Sequence, residues 1–387
     1  MSNRVFKLQD FAEVVSTSVK PEDASNYERF VGLEHYDAGE PVITRYTDTS
    51  LLVSAVKEFK ENDILIARRN VYLKRAGIVF FSGVTSGDSI ILRIPDTCID
   101  KTGIAKELAV KIIPFVLNSE HFWAYANKHA DGMNSKRISK DMLLEYEFEL
   151  SSNELEEAKS EKLWAAYRLK ESYKRLIAAT DEMVKSQFIE WFGNVTETTS
   201  LSSLIDESYP GEWGKEAKNN NGVKVLRTTN FQNNGHIDYS DVIVRYIEQK
   251  KIEKKCLRTG DIILERSGGT KDNPVGRVVL FEAEGEYMFN NFTQLLRPIK
   301  SVNPYYLFFY LHTSYNADKA SMRAMASQTT GIQNLNMTDY MAKEIPLPSL
   351  EEQEQFERLY RQADKSKFEL KRAIEAIDKV IKSLING

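Results

Sequence analysis

Three short polar stretches carry side chains suited to nucleic acid. Arg227-Thr228-Thr229-Asn230 follows the strand-like run Val223-Lys224-Val225-Leu226. It sets a forked cation, two hydroxyls and an amide in a row, the groups that discriminate base edges by hydrogen bonding. Arg266-Ser267-Gly268-Gly269-Thr270-Lys271 follows an apolar strand; its cations suit phosphate, and its glycines let the backbone come close to one. Thr329-Thr330-Gly331-Ile332-Gln333 is a third polar loop. The first half of the chain answers two of these: Arg68-Arg69-Asn70, with Lys74 close behind, and Ser135-Lys136-Arg137. Singly, each looks like any exposed loop; recurrence at matching places in both halves gives them weight.

Catalytic spacings are absent. There is no GxxxxGK, no GxGxxG after a strand, no HExxH and no GxSxG. The histidines, His35, His121, His129, His236 and His312, are paired with no cysteine or serine that would need a base. Cys98 and Cys256 have neither CxxC nor Cys/His spacing, which argues against a disulfide framework and a zinc site. Asn303-Pro304-Tyr305-Tyr306 is similar to the [Asp/Asn]-Pro-Pro-[Tyr/Phe] loop with which amino-methyltransferases grip a flipped base. It lacks the second proline, and no glycine-rich cofactor loop precedes it. A helix start, with Asn303 as cap and Pro304 in the first turn, accounts for it more simply. No catalytic residue, metal or resident cofactor is expected.

The scaffold holding these groups is written twice. Asn62 to Arg69 matches Thr259 to Arg266, Gly77 to Phe81 matches Gly276 to Phe281, and Pro114 and Pro304 each lead into a helical stretch. Phe115, Phe122, Trp123 and Ala126 form the expected buried face of the first of these. Asp141 and Asp339 occupy matching turns. The displacement is 198 residues from Asp63 to Asp261 and from Asp141 to Asp339, and 194 from Leu176 to Leu370. Such a displacement marks a tandem duplication of domain and helix. The boundaries are 1–150 for the first domain, 151–193 for a central helix, 194–349 for the second domain and 350–387 for a terminal helix. Ala165, Leu169, Ser172, Leu176, Ala179, Met183 and Ser186 step by three and four along the central helix. Phe356, Leu359, Ala363, Ser366, Leu370, Ala373, Ile377, Val380 and Leu384 do so along the terminal one. Narrow stripes of this kind seek another helix. The expected fold is α+β: two tandem mixed α/β domains separated by two long antiparallel coiled-coil helices, with a pseudo-two-fold relation. About 35 helical residues at 1.5 Å each give a strut of ~50 Å, somewhat over one turn of duplex.

Bulk properties fit this reading. Of 387 residues, 42% are hydrophobic and 28% charged. The net charge of −4 decides little, because much of the acid sits on the helices, at Glu154, Glu156, Glu157 and Glu161 and again at Glu351, Glu352, Glu354 and Glu357. No apolar run would span a bilayer, and Met1 to Asp10 lacks a signal-peptide core, so a cytoplasmic protein without a membrane partner is expected.

Ile345-Pro346-Leu347-Pro348-Ser349-Leu350-Glu351-Glu352-Gln353, leading into the terminal helix, follows the Thr329-to-Leu335 loop. With Gly260-Asp261-Ile262-Ile263-Leu264 and Leu226 to Asn230, it closely resembles the specificity subunit of type I restriction-modification systems. The first half departs from the pattern: Tyr146-Glu147-Phe148-Glu149-Leu150 stands where the second has Ile345 to Pro348, and its loop at 130–137 lacks the Thr-Gly-x-Gln form. The resemblance implies a non-catalytic protein in which each domain reads half of an interrupted double-stranded DNA target. The helices would act as ruler and as dock for DNA adenine methyltransferase subunits, which carry the S-adenosylmethionine. A restriction and translocase subunit is a further partner in the family. Two other classes stay open: a self-sufficient DNA adenine methyltransferase, and a coiled-coil scaffold that binds no DNA.

Overall fold

The computed structural model describes residues 3–50, 52–133, 135–217, 222–329 and 331–386, with backbone alone at 328 and 329. The chain groups into two compact units, Met1–Arg175 with Lys371–Gly387, and Leu176–Leu370. Compactness therefore assigns part of each long helix to each unit.

In the first unit the apolar run Ile64–Ala67 lies inside a four-stranded antiparallel sheet ordered Glu13–Val15, Ser89–Arg93, Ile64–Ala67, Ala76–Ile78. Alternate side chains face opposite ways, so Ile64 and Ile66 enter one core while Leu65 and Ala67 enter another. A strand covered on both faces reads as an unbroken apolar run. The second unit repeats the sheet with Ile205–Glu207, Thr293–Pro298, Ile262–Glu265 and Val278–Leu280. Asn62 and Gly260, 198 residues apart, both take the left-handed conformation at the entry turn, with φ of 69° and 92°. A second four-stranded sheet completes each unit, but the strand order differs. Gly83–Thr85 lies between Val56–Phe59 and Phe30–Val31 in one, and Val223–Leu226 between Ile243–Tyr246 and Tyr287–Phe289 in the other.

Registers correct two sequence alignments. Ile64 faces Ile78 and Ile262 faces Leu280, so Gly276 corresponds to Lys74, not to the Gly77 position. Both are left-handed, with φ of 108° and 51°. The longer turn after Ile262–Glu265 displaced the match. Pro114 does not open a helix: it lies inside Lys106–Val116, and a separate helix, Glu120–Lys128, starts at the Ser119 cap. The expected buried face, Phe115, Phe122, Trp123 and Ala126, is buried. Asp141 and Asp339 sit in the first turns of short helices, Lys140–Leu144 and Met337–Met341.

The central helix runs Asn153–Phe192 and the terminal helix Leu350–Asn386. In the first unit Leu163 and Tyr167 share a core with Ile381, and Lys170 Nζ lies 2.6 Å from Asp378 Oδ1. In the second, Phe188 packs on Phe356 at 4.9 Å between ring centroids, and Lys367 Nζ lies 2.7 Å from Asp181 Oδ1. Residue numbers run oppositely along both contacts, so the helices are antiparallel.

The contact face of the central helix is not the one its leucines suggested. Leu169, Leu176 and Met183 are 45, 51 and 46% exposed. Tyr167, Lys170, Val184 and Phe188 are buried in their place. The observed seam is displaced by one to two residues, about 100–160° of helical rotation. The reason is chemical: beside Leu163 and Val184 the contact uses aromatic rings and the stem of Lys170, while Leu169, Leu176 and Met183, at seven-residue spacing, lie outside it. The terminal helix matches better. Phe356 and Ala363 are buried, and Leu359, Leu370, Ile377 and Leu384 are half-buried; Val380 is exposed, with Ile381 buried beside it.

Candidate nucleic-acid interface

The loop after Ile64–Ala67 meets residues 135–138. Ile138 N–H donates to the Arg68 carbonyl at 3.0 Å, and Asn70 N–H to that of Lys136 at 2.7 Å. Arg69 Nε donates to Ser135 Oγ at 2.8 Å, and Ser135 Oγ to Asn70 Oδ1 at 3.2 Å. Arg68, Arg69 and Arg137 surround one carboxylate, Asp88, at 4.0, 3.7 and 3.8 Å. Three guanidinium groups share one acid, leaving a local positive excess suited to phosphate. Lys74 is exposed; its carbonyl accepts from Gly39 N–H at 2.8 Å. The sequence candidates Arg68, Arg69, Asn70, Ser135, Lys136 and Arg137 thus form one surface.

The second unit repeats this joint. Leu335 N–H donates to the Arg266 carbonyl at 2.8 Å, as Ile138 does to Arg68. Ser267–Gly268 pairs with Ile332–Leu335, which pairs with Ala326–Thr329. The stretch expected as a polar loop is therefore largely a hairpin. Thr330 lies outside the described residues, and of Thr329 only the backbone pairing with Ile332 is described. Ser267 Oγ donates to Asn334 Oδ1 at 2.8 Å and is buried, so it serves the hairpin and is closed to a base. Gln333 Oε1 accepts from Val275 N–H at 3.4 Å, beside the left-handed Gly269. Arg266 Nη1 donates to Gln294 Oε1 at 3.3 Å, and Lys271 is exposed.

Arg227 to Asn230 divide by role. Asn230, expected among the base readers, is 3% exposed. Its Oδ1 accepts from Arg227 N–H at 2.9 Å, and its Nδ2 donates to the Asp238 and Asp241 carbonyls at 3.0 Å each. Both amide hydrogens and the oxygen are engaged in closing the turn and the side chain is buried, so it is closed to a base. Arg227 Nη2 is held by the Asp241 carbonyl at 3.0 Å and carboxylate at 2.8 Å, and Thr229 is exposed. In the first unit Gly32 N–H donates to His35 Nδ1 at 2.9 Å in the same i to i+3 geometry. Gly32 thus stands in Arg227's place, and that loop has no cation there.

Two residues escaped the sequence reading. Arg75 accepts through its carbonyl from Ala67 N–H, and Arg277 does so from Glu265 N–H, at equivalent register. Arg75 donates to the Leu33 and Arg69 carbonyls at 3.0 Å each. Arg277 donates to the Thr228 and Phe231 carbonyls at 3.3 Å each and to buried Glu265 at 2.6 Å. Each ties the reading turn to the central strand. The signal was an arginine directly after a left-handed residue, Lys74-Arg75 and Gly276-Arg277, hidden by the Gly77 alignment. Asn303, the methyltransferase-like residue, is a buried helix cap: its Oδ1 accepts from Tyr305 and Tyr306 N–H, and its Nδ2 donates to Glu357.

Residues 211–377 match the model of the type I restriction modification DNA specificity domain. The chain carries a type I restriction-modification DNA specificity domain. This domain includes the Arg227 turn, the Arg266 loop, the hairpin and much of the terminal helix. A relative from Methanocaldococcus jannaschii, described as the specificity subunit of the type I restriction enzyme MjaX, is 26% identical over 192 residues. That match covers 49% of this chain and 44% of the relative, so it spans less than half of the protein it resembles. The S subunit from M. genitalium superposes with a TM-score of 0.57 at 12% identity, covering 99% of this chain and 95% of that one. A chain from a study of assembly and conformational transition in a type I system gives 0.54 at 15%, covering 99% and 96%. At such identities the likeness is one of fold, and it extends the specificity-subunit architecture over both units. No helix among the described residues is long and apolar enough to cross a membrane.

Proposed function

We propose that this chain is the DNA-reading, non-catalytic subunit of a type I restriction-modification complex, with one unit for each half of a bipartite duplex target. The observation that carries this is the repeated joint in which Ile138 donates to Arg68 and Leu335 to Arg266. It builds a polar, cation-bearing surface at the same place in both units. Arg68, Arg69, Lys74, Lys136 and Arg137 on one surface, and Arg266 and Lys271 on the other, contact phosphate and set register; Arg227, Thr228 and Thr229 read base edges. The exposed Leu176 and Met183 on the central helix receive the DNA adenine methyltransferase subunits, which bring S-adenosylmethionine, and a restriction and translocase subunit joins through them. The protein acts in the cytoplasm, where that DNA is. The test is selection from a random duplex library by the purified chain with its methyltransferase, followed by binding over a salt gradient. Two short enriched motifs at fixed spacing, with affinity falling linearly in log salt, are expected. Enrichment of nothing would favour the scaffold without DNA, and methyl transfer by the isolated chain would favour the self-sufficient enzyme.

A further inference from the structure

After the capped turn, each reading loop passes a left-handed glycine and then reaches a long helix. In the first unit this glycine is Gly39, with φ of 74°, and in the second Gly235, with φ of 86°. The next residue makes the contact. Glu40 Oε1 lies 2.6 Å from Lys170 Nζ and 3.2 Å from Lys174 Nζ on the central helix. His236 Nε2 lies 3.1 Å from Asp364 Oδ1 on the terminal helix. Glu40 and His236 are 196 residues apart, and Lys170 and Asp364 are 194 apart, the displacement of the helical repeat. The contact is thus duplicated with its polarity exchanged: acid on loop and base on helix in one unit, imidazole on loop and acid on helix in the other. Each contact also joins a bridge between the two helices. Lys170 reaches Asp378 at 2.6 Å, while Asp364 lies 3.6 Å from Lys367, which reaches Asp181 at 2.7 Å. The second loop is fitted closely: a Cβ on Gly235 would lie 2.5 Å from Phe308 Cζ.

We infer that Glu40 and His236 are equivalent positioning residues that latch the reading loop of each unit to the long helices, with donor and acceptor exchanged so that neither loop residue suits the other unit's helix. This rests on the proposed reading of DNA by the Arg227 turn. The latch fixes that turn relative to the strut, so it governs half-site affinity without touching DNA. A lone acid in place of His236 faces Asp364, and like charges repel at this range.

The test uses the full chain with His236→Glu, Asp364→Lys and the double exchange, with His236→Gln as a milder variant. Two readouts are followed: hydrogen exchange of residues 227–241 without DNA, and affinity for each half-site within the selected target. His236→Glu should deprotect the loop and weaken one half-site about 10-fold, the scale of a lost charge-assisted hydrogen bond. The double exchange should restore both, and the other half-site should be unaffected. Unchanged loop exchange in His236→Glu, or failure of the double exchange to restore it while thermal melting stays at the wild-type value, overturns the latch. If loop exchange responds and is rescued while the wild-type chain selects no DNA sequence, the latch stands and the proposed reading of DNA falls.

Discussion

Asp261 and Arg297 form a buried two-point pair in which Nε and Nη2 each donate to a separate carboxylate oxygen at 2.8 Å. The same carboxylate accepts from Arg258 N–H at 2.7 Å, closing the turn before Ile262–Glu265. In the first unit Asp63 accepts from Arg93 at 2.8 and 2.6 Å and from Lys60 N–H at 2.7 Å. The pair aligns the central strand with its neighbour, and the joint at Arg266 begins where that strand ends. Replacing Asp261 by Asn leaves Arg297 buried with a weakened partner. Removal of one member of a buried pair costs ~3–5 kcal/mol; because the amide keeps one acceptor and Arg297 also pairs with Glu207, the low end, about 3 kcal/mol, bounds the loss expected for Asp261→Asn. Denaturant titration followed by a probe in the second unit checks this, and an unchanged midpoint would count against the pair as a structural lock.

Acid should weaken the second unit through His312. Burial, with the nearby charges of His236 and Lys367, holds its pKa down at about 4 against an ordinary 6.5. Its ring stacks on Phe308, and its Nε2 meets Asn316 Nδ2 at 3.1 Å. Between these two values the unfolded chain binds the proton and the folded chain does not, so folding is penalised as pH falls. The contribution is whole above pH 6.5 and is lost progressively towards pH 4, amounting to about 3 kcal/mol. Urea midpoints at pH 7, 5.5 and 4.5 should fall in this window, and His312→Gln should flatten the fall. A slope unchanged by the substitution would place the acid sensitivity elsewhere.

The two apolar stripes of the helices should respond oppositely to truncation. Phe356 is wholly buried against Phe188, Phe192 and Phe309, with centroids 4.9, 5.9 and 5.0 Å away. Phe356→Ala should cost ~3–5 kcal/mol. Leu176, half exposed, should change stability by less than about 0.5 kcal/mol on truncation. Leu176→Ala should instead weaken capture of the methyltransferase subunits in a pull-down or by calorimetry. Destabilisation by Leu176→Ala and none by Phe356→Ala would return the seam to the leucine stripe.

Particular residues show how far sequence alone reaches. Asp63 and Asp261 were legible because a buried four-residue apolar run with a left-handed entry turn leaves a local mark, and the duplication printed it twice. Arg68 and Arg266 were legible as matching loops through that same repetition, as were Arg137 and Gln333, but the meeting of the two loops in each unit was not. The central seam was not, because choosing between stripes about 100–160° apart depends on whether Tyr167 and Phe188 or Leu169 and Leu176 meet the partner helix, and heptad spacing fits either. Asn230 was misplaced for a similar reason: an amide able to read adenine is equally able to close a turn, and only burial separates these roles. The Glu40 and His236 contacts join residues more than a hundred positions apart, and exchange of donor and acceptor between the copies removes the sequence likeness that revealed the rest.

Arg227 and Asn230 lie three residues apart and should fail differently. Arg227→Ala removes a guanidinium held by the exposed Asp241 carboxylate, so loss of the side chain leaves no buried charge behind. Its expected effect is on reading: a base contact is worth ~1–3 kcal/mol, which weakens one half-site about 5- to 150-fold and leaves the other unchanged. Asn230→Ala strips the cap from Arg227 N–H and frees the Asp238 and Asp241 carbonyls, so it should cost roughly 1–3 kcal/mol in folding. Competition titrations with duplexes altered in one half at a time, run beside thermal melts, separate the two. Equal loss at both halves in Arg227→Ala would assign that arginine to general phosphate contact, and loss of melting temperature without loss of selectivity would make it structural.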